Sequence, residues 1–177
     1  MTDRKYPIGP FALQEDYTKE EIGNFLEIIK TSAAKYRELV QNLEEESLSK
    51  TYREGSWNVR QLAHHVADIA LLHYFRMKKA VTEPDYNDVT LINMDAWAVT
   101  SDSLEMPVAD SLNILEGTNQ RYFYFASGLD EEDFAKTYFH PVRKIWLNQK
   151  HALAMSVWHL QHHLAHIKLA LERESAA

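Results

Sequence analysis

The 177-residue chain carries a formal net charge of −7, with 26 acidic and 19 basic residues, and it contains no cysteine. The acidic balance argues against nucleic acid or an anionic membrane surface as a partner, because both require a basic footprint. The absence of cysteine excludes disulfides, thiolate-bound zinc, iron–sulfur clusters and a catalytic thiolate, so a metal would need histidine or carboxylate ligands.

The length is that of one domain, residues 1–177, with enough chain to bury a real core. Hydrophobic residues make up 45% and charged residues 25%, as in an ordinary globular protein. The sequence contains no apolar run of about 18 residues and no apolar signal core at its N-terminus. We therefore expect a cytoplasmic protein without a membrane span.

The N-terminal part is predicted to be an irregular arm followed by the first helix. Residues 1–17 include Tyr6-Pro7-Ile8-Gly9-Pro10-Phe11, which has too much proline and glycine for a helix. Thr18-Lys19-Glu20-Glu21 has the pattern of a capping box, and apolar residues then recur at helical spacing until the acidic run at 44–46. This pattern predicts a helix that begins at Thr18.

A second helix is predicted to begin near Ser56 or Asn58, to run to about Thr82, and to be stopped by Pro84 and the Asp and Asn residues after it. On its helical wheel His65 shares the apolar face, which predicts a histidine directed at the core. His64, about 100° away, is expected at the periphery.

Two further polar residues lie near the His65 side of this helix. Asp68, one turn beyond His65, could ligate a metal, hold His65 by a hydrogen bond or be a surface charge; we favour the second role. Arg76, three turns from His65, either has a charged partner or lines a pocket.

The middle of the chain contains shorter elements. A short helix is expected around Asn93–Val99, a long one over Val108–Ala126, and one helical turn at Glu131–Phe134. Weak alternation over Thr137–Trp146 is consistent with a small hairpin. His140 in that hairpin is either functional, as connections often are, or an ordinary surface histidine.

The last long segment, about Leu147–Glu172, lacks proline and glycine, and four of the nine histidines lie within its stretch from Trp158 to His166. His159 and His163 lie four residues apart, as do His162 and His166, so each pair shares a helix face. All four lie on the side opposite the charged residues, and two imidazoles one turn apart commonly bind a metal.

Four long amphipathic segments predict an all-α, antiparallel four-helix bundle, in which metal sites form between facing helices. One histidine from the second helix and two from the fourth would make a three-histidine site. Three neutral imidazoles leave a coordination position free, which is typical of a catalytic rather than a structural site.

Several segments of the sequence carry a resemblance to a known family. They are Ser56-Trp57-Asn58-Val59-Arg60-Gln61-Leu62-Ala63-His64-His65-Val66-Ala67-Asp68, Trp158-His159 to His163-Leu164-Ala165-His166-Ile167, and the shorter Tyr6-Pro7-Ile8-Gly9-Pro10-Phe11, Ala80-Val81-Thr82-Glu83 and Phe139-His140-Pro141. In these segments the sequence resembles the YfiT branch of the DinB-like superfamily. Each piece is short, but their order and spacing span nearly the whole chain. The segment from Asp85 to Ser103 departs most from the family pattern.

The resemblance implies a homodimeric four-helix bundle that holds one divalent metal per chain on His65, His159 and His163. The metal would be zinc or nickel, with manganese as a third possibility. Members of the family are described as metal-dependent hydrolases, and some relatives transfer a low-molecular-weight thiol, such as bacillithiol, to electrophiles. The resemblance therefore implies a small-molecule substrate and a possible thiol co-substrate.

The leading hypothesis is an enzyme whose metal activates water or a substrate thiol. Asp68, Arg76, His162 and His166 are then candidates for contacts with the ligands or the substrate, and no catalytic residue is assigned. A bundle that binds metal or a small ligand as a sensor or scaffold is the alternative. A di-iron site is disfavoured because no Glu stands three residues before any histidine, and no Gly-x-Ser-x-Gly elbow is present.

Overall fold

The computed structural model describes residues 3–83, 86 and 89–172. In chain order, the elements are α1 (Lys19–Val40), α2 (Glu45–Leu48), α3 (Val59–Thr82), α4 (Met94–Trp97), α5 (Ser101–Glu105), α6 (Val108–Ser127), α7 (Glu131–Ala135), β1 (Thr137–His140), β2 (Ile145–Asn148) and α8 (Gln149–Leu171). The four long helices and the hairpin that we predicted are all present, whereas α2 and α5 were not predicted.

The long helices α1, α3, α6 and α8 form the predicted four-helix bundle. Both α1 and α3 pack extensively against α6 and against α8, whereas α1 and α3 touch each other little. The first two long helices therefore lie diagonally across the bundle, and α3 and α8 are neighbours. None of the helices in the described part of the chain is long and apolar enough to cross a membrane.

Three of the long helices begin at capping boxes, in which a side chain at each end of the first turn satisfies a free backbone N–H. The pairs are Thr18 with Glu21, Asn58 with Gln61, and Asn148 with His151. The first two confirm predicted starts. The stop that we assigned to Pro84 lies outside the described residues.

The hairpin of β1 and β2 places a short turn at one end of the bundle. The strands pair antiparallel, with His140 opposite Ile145. Within the turn, Lys144 has a positive φ of 54°, and the backbone N–H of Arg143 donates to Nδ1 of His140 at 3.4 Å. This turn directs His140 and Arg143 toward the space beside α3 and α8, where both line a cavity described below.

The N-terminal arm, which was predicted to be irregular, lies along α8. The indole Nε1 of Trp158 donates to the Gly9 carbonyl at 3.1 Å, and Arg4 donates to the carbonyl of Leu169 at 2.9 Å. The arm thus covers the helix that carries the histidine cluster.

The prediction that His64 lies at the periphery was wrong. His64 is buried, with Nδ1 2.8 Å from the Ser111 hydroxyl and Nε2 3.2 Å from the carbonyl of Met106. The wheel assumed one buried face, but α3 is covered by α8 on one side and by α5 and α6 on another.

Candidate metal centre

Two neighbouring helices of the bundle bring three histidines together. His65 comes from α3, and His159 and His163 come from α8. The Nε2 atoms of His65 and His159 are 3.1 Å apart, and the His163 ring centroid lies 4.8 Å and 4.5 Å from those two rings. One nitrogen from each ring can be chosen so that all three lie within 4.8 Å of one another.

This geometry fits a small divalent cation. With metal–nitrogen bonds of about 2.0–2.1 Å and tetrahedral angles, two ligand nitrogens stand about 3.3 Å apart. The separation of 3.1 Å between Nε2 of His65 and Nε2 of His159 is close to that distance. The donor set is three imidazoles without a thiolate, which suits zinc or nickel and leaves a position for another ligand.

The electrostatics keep these imidazoles neutral, which is the form that binds metal. Burial lowers the pKa of His65 to about 4. Burial also holds the pKa values of His159 and His163 well below the ordinary histidine value, and the neighbouring imidazoles add to the effect. Each ring therefore offers a lone pair at neutral pH.

The centre reaches the protein surface through one of its members. His65 and His163 are buried, whereas His159 is only partly buried. Trp57 packs against His65, with its ring centroid 4.7 Å from that of His65. An exchangeable ligand would thus have access along the His159 side.

His166 holds His163 in one tautomer. The Lys5 carbonyl can only accept, so the contact of 3.2 Å from His166 Nε2 places the proton of neutral His166 on Nε2. Nδ1 of His166 is then an acceptor, and it lies 3.4 Å from Nδ1 of His163. A proton on Nδ1 of His163 leaves the lone pair of that ring on Nε2, which is available to a metal.

His162 lies outside this set, beside His163. Its ring stacks on Trp158 at 4.4 Å, and Tyr6 of the arm lies 5.9 Å away. Its Nδ1 is buried and has no hydrogen-bond partner among the described residues. His162, His163 and His166 also form a second triad with ligand atoms within 4.8 Å of one another.

The two remaining candidates lie in different places. Asp68 lines a cavity with Trp97, Thr100, Asp102 and Ser103, on the side of α3 that faces α5, and none of the histidine clusters found in the described residues includes it. Burial, with a contribution from Asp102, raises its pKa to about 6. Arg76 lines another cavity, between α3, α8 and the hairpin.

His73 is a neighbour of the cluster that the sequence did not indicate. Its ring centroid lies 5.6 Å from that of His159. Burial lowers its pKa to about 3, and the positive charge of Arg76 contributes. His73 is two turns from His65 but about 80° away on the wheel, so helical spacing alone gives no signal for it.

Comparison with known proteins agrees with this architecture. The model of the DinB superfamily matches residues 28–167. Two relatives are named "Putative metal-dependent hydrolase". A protein of Oceanobacillus iheyensis is 39% identical over 176 residues, which cover 99% of each chain. YfiT of Bacillus subtilis is 31% identical over 162 residues, which cover 92% of this chain and 90% of YfiT.

A solved structure of Bacillus subtilis YfiT is described as a probable metal-dependent hydrolase with an unusual four-helix bundle topology. It superposes on this protein with a TM-score of 0.93 at 29% identity, covering 98% of this chain and 99% of its own. The diagonal arrangement of α1 and α3, the histidine cluster between α3 and α8, and these matches lead to one conclusion: the chain belongs to the DinB superfamily, as a YfiT-like member.

Proposed function

We propose that the protein is a metal-dependent enzyme acting on a small-molecule substrate, with one divalent ion held by His65, His159 and His163. Zinc and nickel suit the donor set best, with manganese as a weaker candidate. The observation that carries the proposal is the meeting of three neutral imidazoles between two helices, with Nε2 atoms of His65 and His159 3.1 Å apart. The names of the relatives, metal-dependent hydrolases, support the same class of function.

Each part of the centre would have a distinct role in the reaction. When bound, a divalent ion at such a centre lowers the pKa of a water or thiol that coordinates it. Burial holds the rings of His65 and His163 in place, and Nδ1 of His166 fixes the tautomer of His163. Partly exposed His159 marks the side from which substrate approaches. A water would give hydrolysis, for example of an amide-type C–N bond, and a thiol would give transfer of sulfur to an electrophile.

The first test is the metal content of untagged protein purified without added metal. We expect about one divalent ion per chain in the wild type and none in His65→Ala or His163→Ala. His151→Gln is a matched control on the same helix, because glutamine preserves the capping box. A wild-type protein that takes up none of zinc, nickel or manganese on incubation would exclude the proposal.

A product assay separates the two reactions. The metal-loaded protein is incubated with an electrophile, with and without a low-molecular-weight thiol, and in parallel with a panel of small amides. A conjugate between the thiol and the electrophile that forms with the wild type but not with His65→Ala or His163→Ala indicates thiol transfer. Amide cleavage without thiol indicates hydrolysis.

A second candidate function is a non-catalytic metal-binding bundle, and the triad of His162, His163 and His166 favours it. This triad is buried, His166 is stacked on Tyr52 at 3.8 Å, and the arm covers it, so an ion there would be closed to substrate. The variant His162→Ala distinguishes the two. Metal retained in His162→Ala supports the catalytic centre, and metal lost there but retained in His65→Ala supports the closed one.

A further inference from the structure

A cavity of about 310 Å³ lies beside the histidine cluster, between α3, α8, the hairpin turn and the segment before α4. Its walls comprise seven apolar side chains and three basic ones, and none of the described residues that line it is acidic. The basic residues are Arg76, His140 and Arg143. A volume of this size suits a small organic ligand.

The cavity adjoins the proposed metal centre along both helices that build it. Ile69 lines the cavity one turn after His65 on α3, and Met155 lines it one turn before His159 on α8. His73 lies between the two regions, since its ring contacts that of His159 and its pKa is lowered by Arg76 as well as by burial. A ligand in the cavity would therefore place one end toward the histidines.

Arg76 presents an oriented guanidinium in the interior. The side chain is only 5% exposed. Its Nε donates to the carbonyl of Thr90 at 3.1 Å and its Nη2 donates to the same oxygen, which fixes the plane of the group while leaving N–H donors on the other edge. Among the described residues no carboxylate forms a salt bridge with it, and a buried guanidinium is favourable only when its charge is matched.

His140 and Arg143 add donors on the hairpin side. Because the backbone N–H of Arg143 can only donate, Nδ1 of His140 is an acceptor, and the neutral ring carries its proton on Nε2. His140 is buried, whereas Arg143 is exposed at the turn, with its guanidinium 5.6 Å from the ring of Phe11. The three residues provide donors from the interior to the mouth.

This basic lining stands out in an acidic protein. The chain has a net charge of −7, whereas the described residues that line the cavity include two arginines and a histidine and no acidic residue. The charge of the cavity is therefore opposite in sign to that of the whole protein. A positive cleft with apolar walls concentrates small anions. The planar donor edge of an arginine matches a carboxylate in particular.

We propose that this cavity binds the carboxylate of a small substrate or co-substrate with an apolar body, anchored by Arg76, assisted by His140 and Arg143, and directed with its reactive end toward the histidine cluster. The inference names the substrate class of the function proposed above and rests on it for the direction of the ligand. Carboxylate recognition itself requires only the cavity and is testable without metal.

The test is an NMR titration of the protein with 3-phenylpropanoate and with its neutral amide, 3-phenylpropanamide. A ligand of this size should bind in the low-millimolar range. We expect the carboxylate to bind at least about tenfold more tightly than the amide, because the amide lacks the charge that Arg76 meets. Equal affinities, or no saturable binding of the carboxylate up to about 20 mM, would overturn the proposal.

Variants assign the binding to the cavity. Arg143→Gln, at the exposed turn, and Arg76→Gln should each weaken carboxylate binding about tenfold and leave amide binding unchanged. Lys144→Gln is the matched control, since Lys144 belongs to the same turn but does not line the cavity. The dispersion of the NMR spectrum shows whether Arg76→Gln is folded, and Arg143→Gln carries the test alone if it is not.

The variant His163→Ala, which we expect to lack metal, separates this proposal from the metal-dependent function. Retained carboxylate binding in His163→Ala supports the cavity whatever the metal analysis gives. Binding that is lost in His163→Ala but unchanged in both arginine variants would place the carboxylate on the metal and overturn the proposal.

Discussion

At the scale of single residues, the contact between His163 and His166 orients the ring of one proposed metal ligand. The chain of contacts runs from the Lys5 carbonyl to Nε2 of His166, and from Nδ1 of His166 to Nδ1 of His163. A ligand histidine that donates its second N–H to an acceptor is both oriented and more basic. If His163 binds a metal as proposed, His166 would influence that metal without touching it, and the Lys5 carbonyl of the N-terminal arm would fix His166 in place.

We expect His166→Ala to lower metal affinity roughly 10- to 100-fold while the stoichiometry at saturating metal stays at about one ion per chain. Competition with a chromophoric chelator measures the affinity. His166→Gln, whose amide oxygen can accept from His163, should recover part of the loss. Unchanged affinity would contradict the role of His166, and a loss of stoichiometry would indicate that His166 is itself a ligand.

At the scale of elements, the site depends on where α3 and α8 begin. Oδ1 of Asn58 accepts from the backbone N–H of Gln61 at 2.9 Å, and Oε1 of Gln61 accepts from the backbone N–H of Asn58 at 3.0 Å. These bonds fix the first turn of α3, and His65 follows less than two turns later. The capping box thus fixes the residue at which α3 begins, and with it the position of His65 opposite α8.

Asn58→Ala should lower the free energy of unfolding by about 1 kcal/mol, because the first turn of α3 loses its side-chain cap. The midpoint of urea denaturation measures the change. Asn58→Asp retains an acceptor and should stay close to the wild type. If Asn58→Asp is as unstable as Asn58→Ala, the cap is not the cause.

The long helices could be predicted because each repeats apolar residues at helical spacing, and α1 and α3 in addition start at recognisable caps. The same periodicity directed His65 and the histidines of α8 toward the core, and the family resemblance then selected His159 and His163 over His162 and His166. Their binding of metal stays a prediction. The burial of His64 could not be predicted, because it depends on α5 packing beside α3. Arg143 was likewise missed, since its place at the cavity arises from the hairpin turn rather than from any spacing.

At the scale of the whole molecule, the fold buries a set of uncharged imidazoles. Burial lowers the pKa of His65 to about 4, that of His162 to about 4 and that of His73 to about 3. In the unfolded chain, histidine titrates near pH 6.5. Below that pH the histidines bind protons in the unfolded state but not in the folded state. The free energy of unfolding therefore falls as the pH falls from about 6.5 toward about 4.

Asp68 works in the opposite direction. Burial raises its folded pKa to about 6, above the ordinary value of 3.8, so the folded state binds its proton first. Its contribution to stability is greatest below the ordinary value and is lost as the pH rises through about 6. The histidines outnumber this single carboxyl, so the net effect of acid on the bundle is destabilising.

We therefore expect the free energy of unfolding of the metal-free protein, measured by urea denaturation, to fall as the pH is lowered from about 7.5 to about 5.5. At one pH unit below 6.5, His65 and His162 should each have lowered that free energy by about 1.4 kcal/mol. Asp68→Asn removes the opposing group and should make the loss steeper, whereas a flat or rising profile would contradict the burial of neutral imidazoles. Bound metal should stabilise the protein at pH 7.5 and make the acid loss steeper still, because protons and metal compete for the same lone pairs.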